Sequence, residues 1–198
     1  MTSDIIDALA GVVNGSAVDA ARRARPQARE NSQASYRALF VSADQTGVTQ
    51  RERLAVASFV AALHGVPAAR QHYRELLVDA GGTELAVLID QQAEYAAASG
   101  PYGRFPATAD LRAEDQPGSA FAIESAAAAV LGSRLTSALE HAHLLVFRPR
   151  ESSPQALAAL LDAGWSTPEV VTLSQLVAFL TYQLRVVHGL NVLEGDQR

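Results

Sequence analysis

An all-α fold of about eight or nine helices is predicted by three observations. Apolar residues recur at spacings of three and four along nearly the whole chain, and β-branched alternation is almost absent. Helix start and stop signals succeed one another at regular intervals, among them two capping boxes and several Gly or Pro punctuators. Alanine, the best helix former, supplies 38 of the 198 residues.

Residues 3–13 suit a short first helix, ended near Asn14-Gly15, and residues 16–25 suit a second. Pro26 opens or kinks a third helical segment that reaches about Val41. Thr49-Gln-Arg-Glu52 is a capping box, in which hydroxyl and carboxylate satisfy each other's orphan amides, and it opens a helix to about His64. Gly65 ends that helix, and Pro67 starts the next, which runs to about Ala80. Thr83 is expected to cap a further helix to about Ala98. Residues 99–119 hold several breakers and read as a functional loop or a linker. Helices resume at about Ser119–Leu131 and Ser133–Val146, and Ser153-Pro154 caps a short one ended by Gly164. Ser166-Thr-Pro-Glu169 is the second capping box, and its helix is expected to stop at about His188-Gly189.

The two capping-box helices align at an offset of 117 residues, pairing Thr49 with Ser166, Glu52 with Glu169, Val60 with Val177 and Leu63 with Leu180. Both are apolar nearly all round, which marks central elements and suggests a duplicated helical unit. The expected organisation is an N-terminal helical half over 1–98, a linking segment over 99–119 and a C-terminal helical half over 120–198.

Composition narrows the chemistry. There is no cysteine, which removes disulfides, thiolate metal sites and a Cys nucleophile. All 16 basic residues are Arg, so Schiff-base chemistry and a P-loop lysine are absent as well. A net charge of −5 argues against capture of nucleic acid or an anionic membrane. The acidic start Met1-Thr-Ser-Asp-Ile-Ile-Asp7 does not read as a secretory signal. The apolar stretch Val170–Leu193 is interrupted by Ser174, Gln175, Gln183, Arg185 and His188, and reads as a buried helix rather than a membrane span. A cytoplasmic protein is expected.

Other polar residues receive structural readings. His64 and His188 are expected to cap helices beside Gly65 and Gly189. Arg185 is expected to pair with a buried acid such as Glu124 or Asp162. Arg22-Arg-Ala-Arg25 reads as a solvated basic face. Glu140-x-x-His143 has the spacing of half a di-iron site, but no second copy exists, so no metal and no cofactor is expected.

The segment 48–80 resembles the core of the carboxymuconolactone decarboxylase superfamily, which includes the alkylhydroperoxidase AhpD-like proteins. The resemblance rests on Thr49-Gln-Arg-Glu-Arg-Leu54, the apolar run Ala55–Gly65 and Arg70-Gln-His-Tyr73. Leu160-Leu-Asp-Ala-Gly-Trp-Ser166 and Tyr182-Gln-Leu-Arg185 are similar to the C-terminal part of peroxidase-related members. The family core ends in Cys-x-x-Cys-x-x-x-His. With His72 at the histidine position, the two cysteine positions fall on Gly65 and Ala68, and the family's acidic residue falls on Arg53, beside Glu52.

Thiol peroxidase chemistry needs a thiolate to attack the peroxide and a second thiol to resolve the product, and Gly and Ala supply neither. The resemblance therefore implies a redox-inactive member with a structural or regulatory role, or a partner of a thiol-bearing paralogue. The alternative is a cysteine-independent decarboxylase or isomerase acting on a small organic acid. There His72 would donate the proton and Arg53 would hold the carboxylate, with Glu52 beside them and Tyr73 and Tyr102 lining the pocket. Helices apolar on more than one face leave surface to be covered, so a homo-oligomer, dimer or trimer, is expected.

Overall fold

The computed structural model describes residues 4–41, 46–105 and 109–195. The elements are α1 (Ile5–Ala10), α2 (Ala17–Arg23), α3 (Pro26–Tyr36), α4 (Gln50–Leu63), α5 (Pro67–Asp79), α6 (Thr83–Tyr95), α7 (Ser125–Phe147), α8 (Pro154–Asp162) and α9 (Thr167–Gly195). A π turn over Arg37–Val41 succeeds α3, and short 3-10 turns occupy Ala109–Leu111 and Pro149–Glu151. No strand occurs among the described residues, so the all-α prediction holds.

α4 is the central rod. It contacts α5, α6, α7 and α9, and every residue from Arg53 to Ala61 is buried. Alanine at 55, 57 and 61 lets neighbouring helices approach closely, while Leu54 and Phe59 fill the gaps between them. Burying a side chain of that size contributes about 2 kcal/mol. α9 runs alongside α4 and covers α1 as well. Leu173, Leu176, Leu180, Leu184 and Val187 line its buried face. α9 is also the one helix among the described residues long and apolar enough, by composition, to cross a bilayer. One core cluster joins Ile6 and Phe59 to Leu139, Leu173 and Leu180, so the segments before and after 99–119 share a single interior.

The capping box of α4 forms as read from the sequence. Thr49 Oγ1 accepts from the Glu52 amide at 3.2 Å, and the Glu52 carboxylate accepts from the Thr49 amide at 2.8 Å. His64 is the C-cap of α4, with its ring Nδ1 2.9 Å from the Val60 carbonyl. α7 is two helices merged across a kink at Gly132, whose φ of 77° and ψ of 161° are all but closed to residues with a side chain.

Four local expectations are corrected. Gly82, not Thr83, is the N-cap of α6, and its amide donates to the Leu77 carbonyl at 2.9 Å, closing the end of α5. α9 passes through His188 and Gly189 to Gly195, since the buried Val187 and Leu190 hold the helix on the core across the glycine. Arg185 points outward, as do Glu124 and Asp162, and it joins none of the ion pairs among the described residues.

The fourth correction concerns the basic cluster on α2. Arg22 is buried, not solvated, and donates to Asp7 at 2.7 Å and to Asp4 at 2.9 Å. Arg29 of α3 adds a 2.6 Å pair with Asp7. These charges tie α1, α2 and α3 together where a short first helix has little apolar area of its own.

Candidate functional site

Gly65 and Ala68 lie exposed at the break between α4 and α5. His72 comes one turn later in α5 and is half-buried. The π turn sets Tyr36 and Phe40 against this part of α5. The Tyr36 hydroxyl lies 2.9 Å from His72 Nε2. Tyr73 meets the His72 ring edge-on at 5.0 Å and Phe40 at 5.1 Å, giving one aromatic group of four rings.

Burial pushes the His72 pKa below its ordinary value, with Glu75 opposing, so the ring is neutral at pH 7. Burial likewise raises the pKa of Tyr36 and, more strongly, of Tyr73. Tyr73 is fully buried and donates to Gln183 Oε1 of α9 at 2.5 Å. A cleft of about 280 Å³ opens beside Tyr36 and Phe40 and is lined further by Gln50, Leu54, Leu76 and Asp79, but neither His72 nor Tyr73 lines it. A neutral imidazole exchanging a hydrogen bond with a phenol can pass or accept one proton. It cannot replace the two-electron chemistry of a thiol pair.

The remaining candidates point elsewhere. Arg53 is buried and donates to the backbone carbonyls of Val48 at 3.0 Å and Leu39 at 3.5 Å, so its guanidinium ties the start of α4 to the π turn. Glu52 serves the capping box and accepts from Arg134 Nε at 2.6 Å. Tyr102 is half-buried in the 99–119 segment, where its amide donates to the Phe147 carbonyl at 3.0 Å. His72 and Tyr73 are thus brought together with Tyr36, a residue that the sequence pattern does not single out. No group of three His, Asp or Glu side chains able to hold a metal ion occurs among the described residues.

The most concentrated polar cluster also escapes the sequence pattern. Arg134 of α7 donates to Glu52, to both carboxylate oxygens of Glu169 (3.1 and 3.0 Å), and to the carbonyls of Gly164 (2.9 Å) and Gly47 (2.8 Å). Its guanidinium lies 4.0 Å over the Trp165 ring, whose Nε1 donates to the Arg134 carbonyl at 2.8 Å. Arg134 and the Ser166 amide hold the Glu169 carboxyl well below its ordinary range, at about 2.

Gly47 and Gly164, with φ of 90° and 97°, stand 117 residues apart, as do the two capping boxes that they precede. Two matching frames, Gly-x-Thr-x-x-Glu and Gly-x-Ser-x-x-Glu, therefore converge on one arginine. The glycines are the signal that could have found this cluster, because they extend the repeat beyond the capping boxes. No family model, curated protein or solved structure matches the chain.

Proposed function

We propose that this chain is a redox-inactive, AhpD-like helical protein that acts by association, as a structural or regulatory subunit or as partner to a thiol-bearing paralogue. The observation that carries the reading is the state of the family motif. Gly65 and Ala68 stand where sulfur is required, and the surviving His72 is engaged with Tyr36. Arg134, Glu52 and Glu169 satisfy one another, which suits a cluster that holds helices rather than one that turns over substrate. Exposed Val41, Tyr95 and Val130 support self-association as a dimer or trimer, and the proposal places the protein in the cytoplasm.

A peroxide assay tests this directly. Purified protein with cumene hydroperoxide and a dithiol reductant is expected to consume no peroxide above the blank, and measurable turnover overturns the proposal. Light scattering on the same sample is expected to give a multiple of 20.9 kDa, and a monomer mass removes the self-association part.

A second reading is favoured by the hydrogen bond between Tyr36 and His72. It is a cysteine-independent decarboxylase or isomerase acting on a small organic acid. It keeps His72 as proton donor, while Arg53, bonded to two carbonyls, is not placed as the carboxylate-binding cation. Turnover of a small carboxylic acid that is abolished in His72→Phe would select it over the first.

A further inference from the structure

The turn between α1 and α2 carries the one Asn-Gly step in the chain, Asn14-Gly15, and both residues are exposed. Two charged side chains of α2 close a ring of hydrogen bonds around it. Arg23 Nη2 donates to Asn14 Oδ1 at 2.6 Å, and Arg23 Nε donates to Asp19 Oδ1 at 2.9 Å. The other carboxylate oxygen, Asp19 Oδ2, accepts from the Gly15 amide at 2.8 Å. Asp19 is 5% exposed, and its own amide donates to the Ser16 hydroxyl at 3.1 Å, which fixes it in the first turn of α2.

Each contact falls on an atom that an intramolecular acyl transfer would use. The asparagine side chain is an acyl group, and the backbone nitrogen of the next residue reaches it through a five-membered ring. That nitrogen is a poor nucleophile while it keeps its proton, and the Gly15 proton points at a carboxylate. Arg23 and the Gly15 amide hold the Asp19 carboxyl below its ordinary range, so it is ionised at pH 7. Negative charge builds on the side-chain oxygen during attack, and Asn14 Oδ1 already meets a guanidinium. Gly15 has a φ of 83°, and nothing stands within 4 Å of where its Cβ would be, so no side chain crowds the nitrogen.

We propose that Asn14 is a self-modification site, at which the folded chain converts its own Asn-Gly step to a succinimide and then to aspartate and isoaspartate. The Gly15 nitrogen bonds to Asn14 Cγ while its proton passes to Asp19 Oδ2, and Arg23 holds the oxyanion. The Cγ–Nδ2 bond then breaks, and the side-chain nitrogen leaves as ammonia with the proton returned by Asp19. Water opens the ring at either carbonyl, so one water is consumed and one ammonia released. Opening at the main-chain carbonyl gives isoaspartate, which lengthens the α1–α2 connection by one methylene.

The full chain is incubated at neutral pH, folded and in parallel unfolded in urea, and peptide mass spectrometry follows aspartate and isoaspartate at position 14 with time. The folded chain is expected to convert faster than the unfolded one, in which the same Asn-Gly step lacks Asp19 and Arg23. Arg23→Met, at a side chain 60% exposed, should slow the folded chain about tenfold by removing the cation at the oxyanion. Asp19→Asn should slow it about tenfold by removing the proton acceptor. Arg23→Met decides the matter should Asp19→Asn fail to fold. Both variants are expected to match wild type once unfolded in urea. A folded rate at or below the unfolded one, or folded variants as fast as wild type or faster, means that the ring shields Asn14 and overturns the proposal.

Discussion

Replacing Arg134 by methionine removes five hydrogen bonds and leaves the Glu52 and Glu169 carboxylates facing one another with no cation between them. The expected loss is about 3 kcal/mol by urea denaturation. Arg134→Lys should recover only part of it, because three donors on a compact ammonium cannot serve five acceptor directions. Half of this site is legible in the sequence. Glu52 declares its capping role through a partner three residues away, but its second partner lies 82 residues further on. Arg22 is opaque for a related reason. Beside Arg23 and Arg25 it looks solvated, and only the packing of α1 on its neighbours brings Asp4 and Asp7 to it.

Two glycines in long helices separate backbone need from local accident. Gly132 sits at the kink of α7 with a positive φ, and open space surrounds the position of an added Cβ. Gly132→Ala should therefore cost about 2 kcal/mol through conformation alone. Gly189 lies inside α9 without a positive φ and has equally open space. Gly189→Ala should stabilise by about 0.5–1 kcal/mol, a rise of roughly 2–3 °C in Tm. If both variants shift Tm the same way, the kink is misplaced. Where a stop signal coincides with a change of packing, as at Gly65 and Gly132, the sequence locates the boundary. At Gly189 the signal stands alone, and the core contacts of Val187 and Leu190 override it.

Across the whole molecule, His64, His72, His141 and His143 all have pKa values pushed down, with burial the largest cause for each. The folded state thus binds protons less readily than the unfolded chain, whose histidines titrate near 6.5. Stability is full above that value and is lost as pH falls below it. Glu169 works in a lower range, since its depressed pKa keeps its contribution until pH falls from about 4.5 toward 2. The urea midpoint is expected to drop between pH 7.5 and pH 5, and a flat profile there contradicts the burial of these rings. The helical class is legible because a 3.6-residue period is a local property. How the segments on either side of 99–119 share one core is not, because that depends on contacts between distant helices. α4 lies early in the chain and is enclosed in part by α9, the last helix. During synthesis the side of α4 that α9 covers stays exposed until the 29 residues of α9 have cleared the ribosome. That interval is when the nascent chain is most open to aggregation.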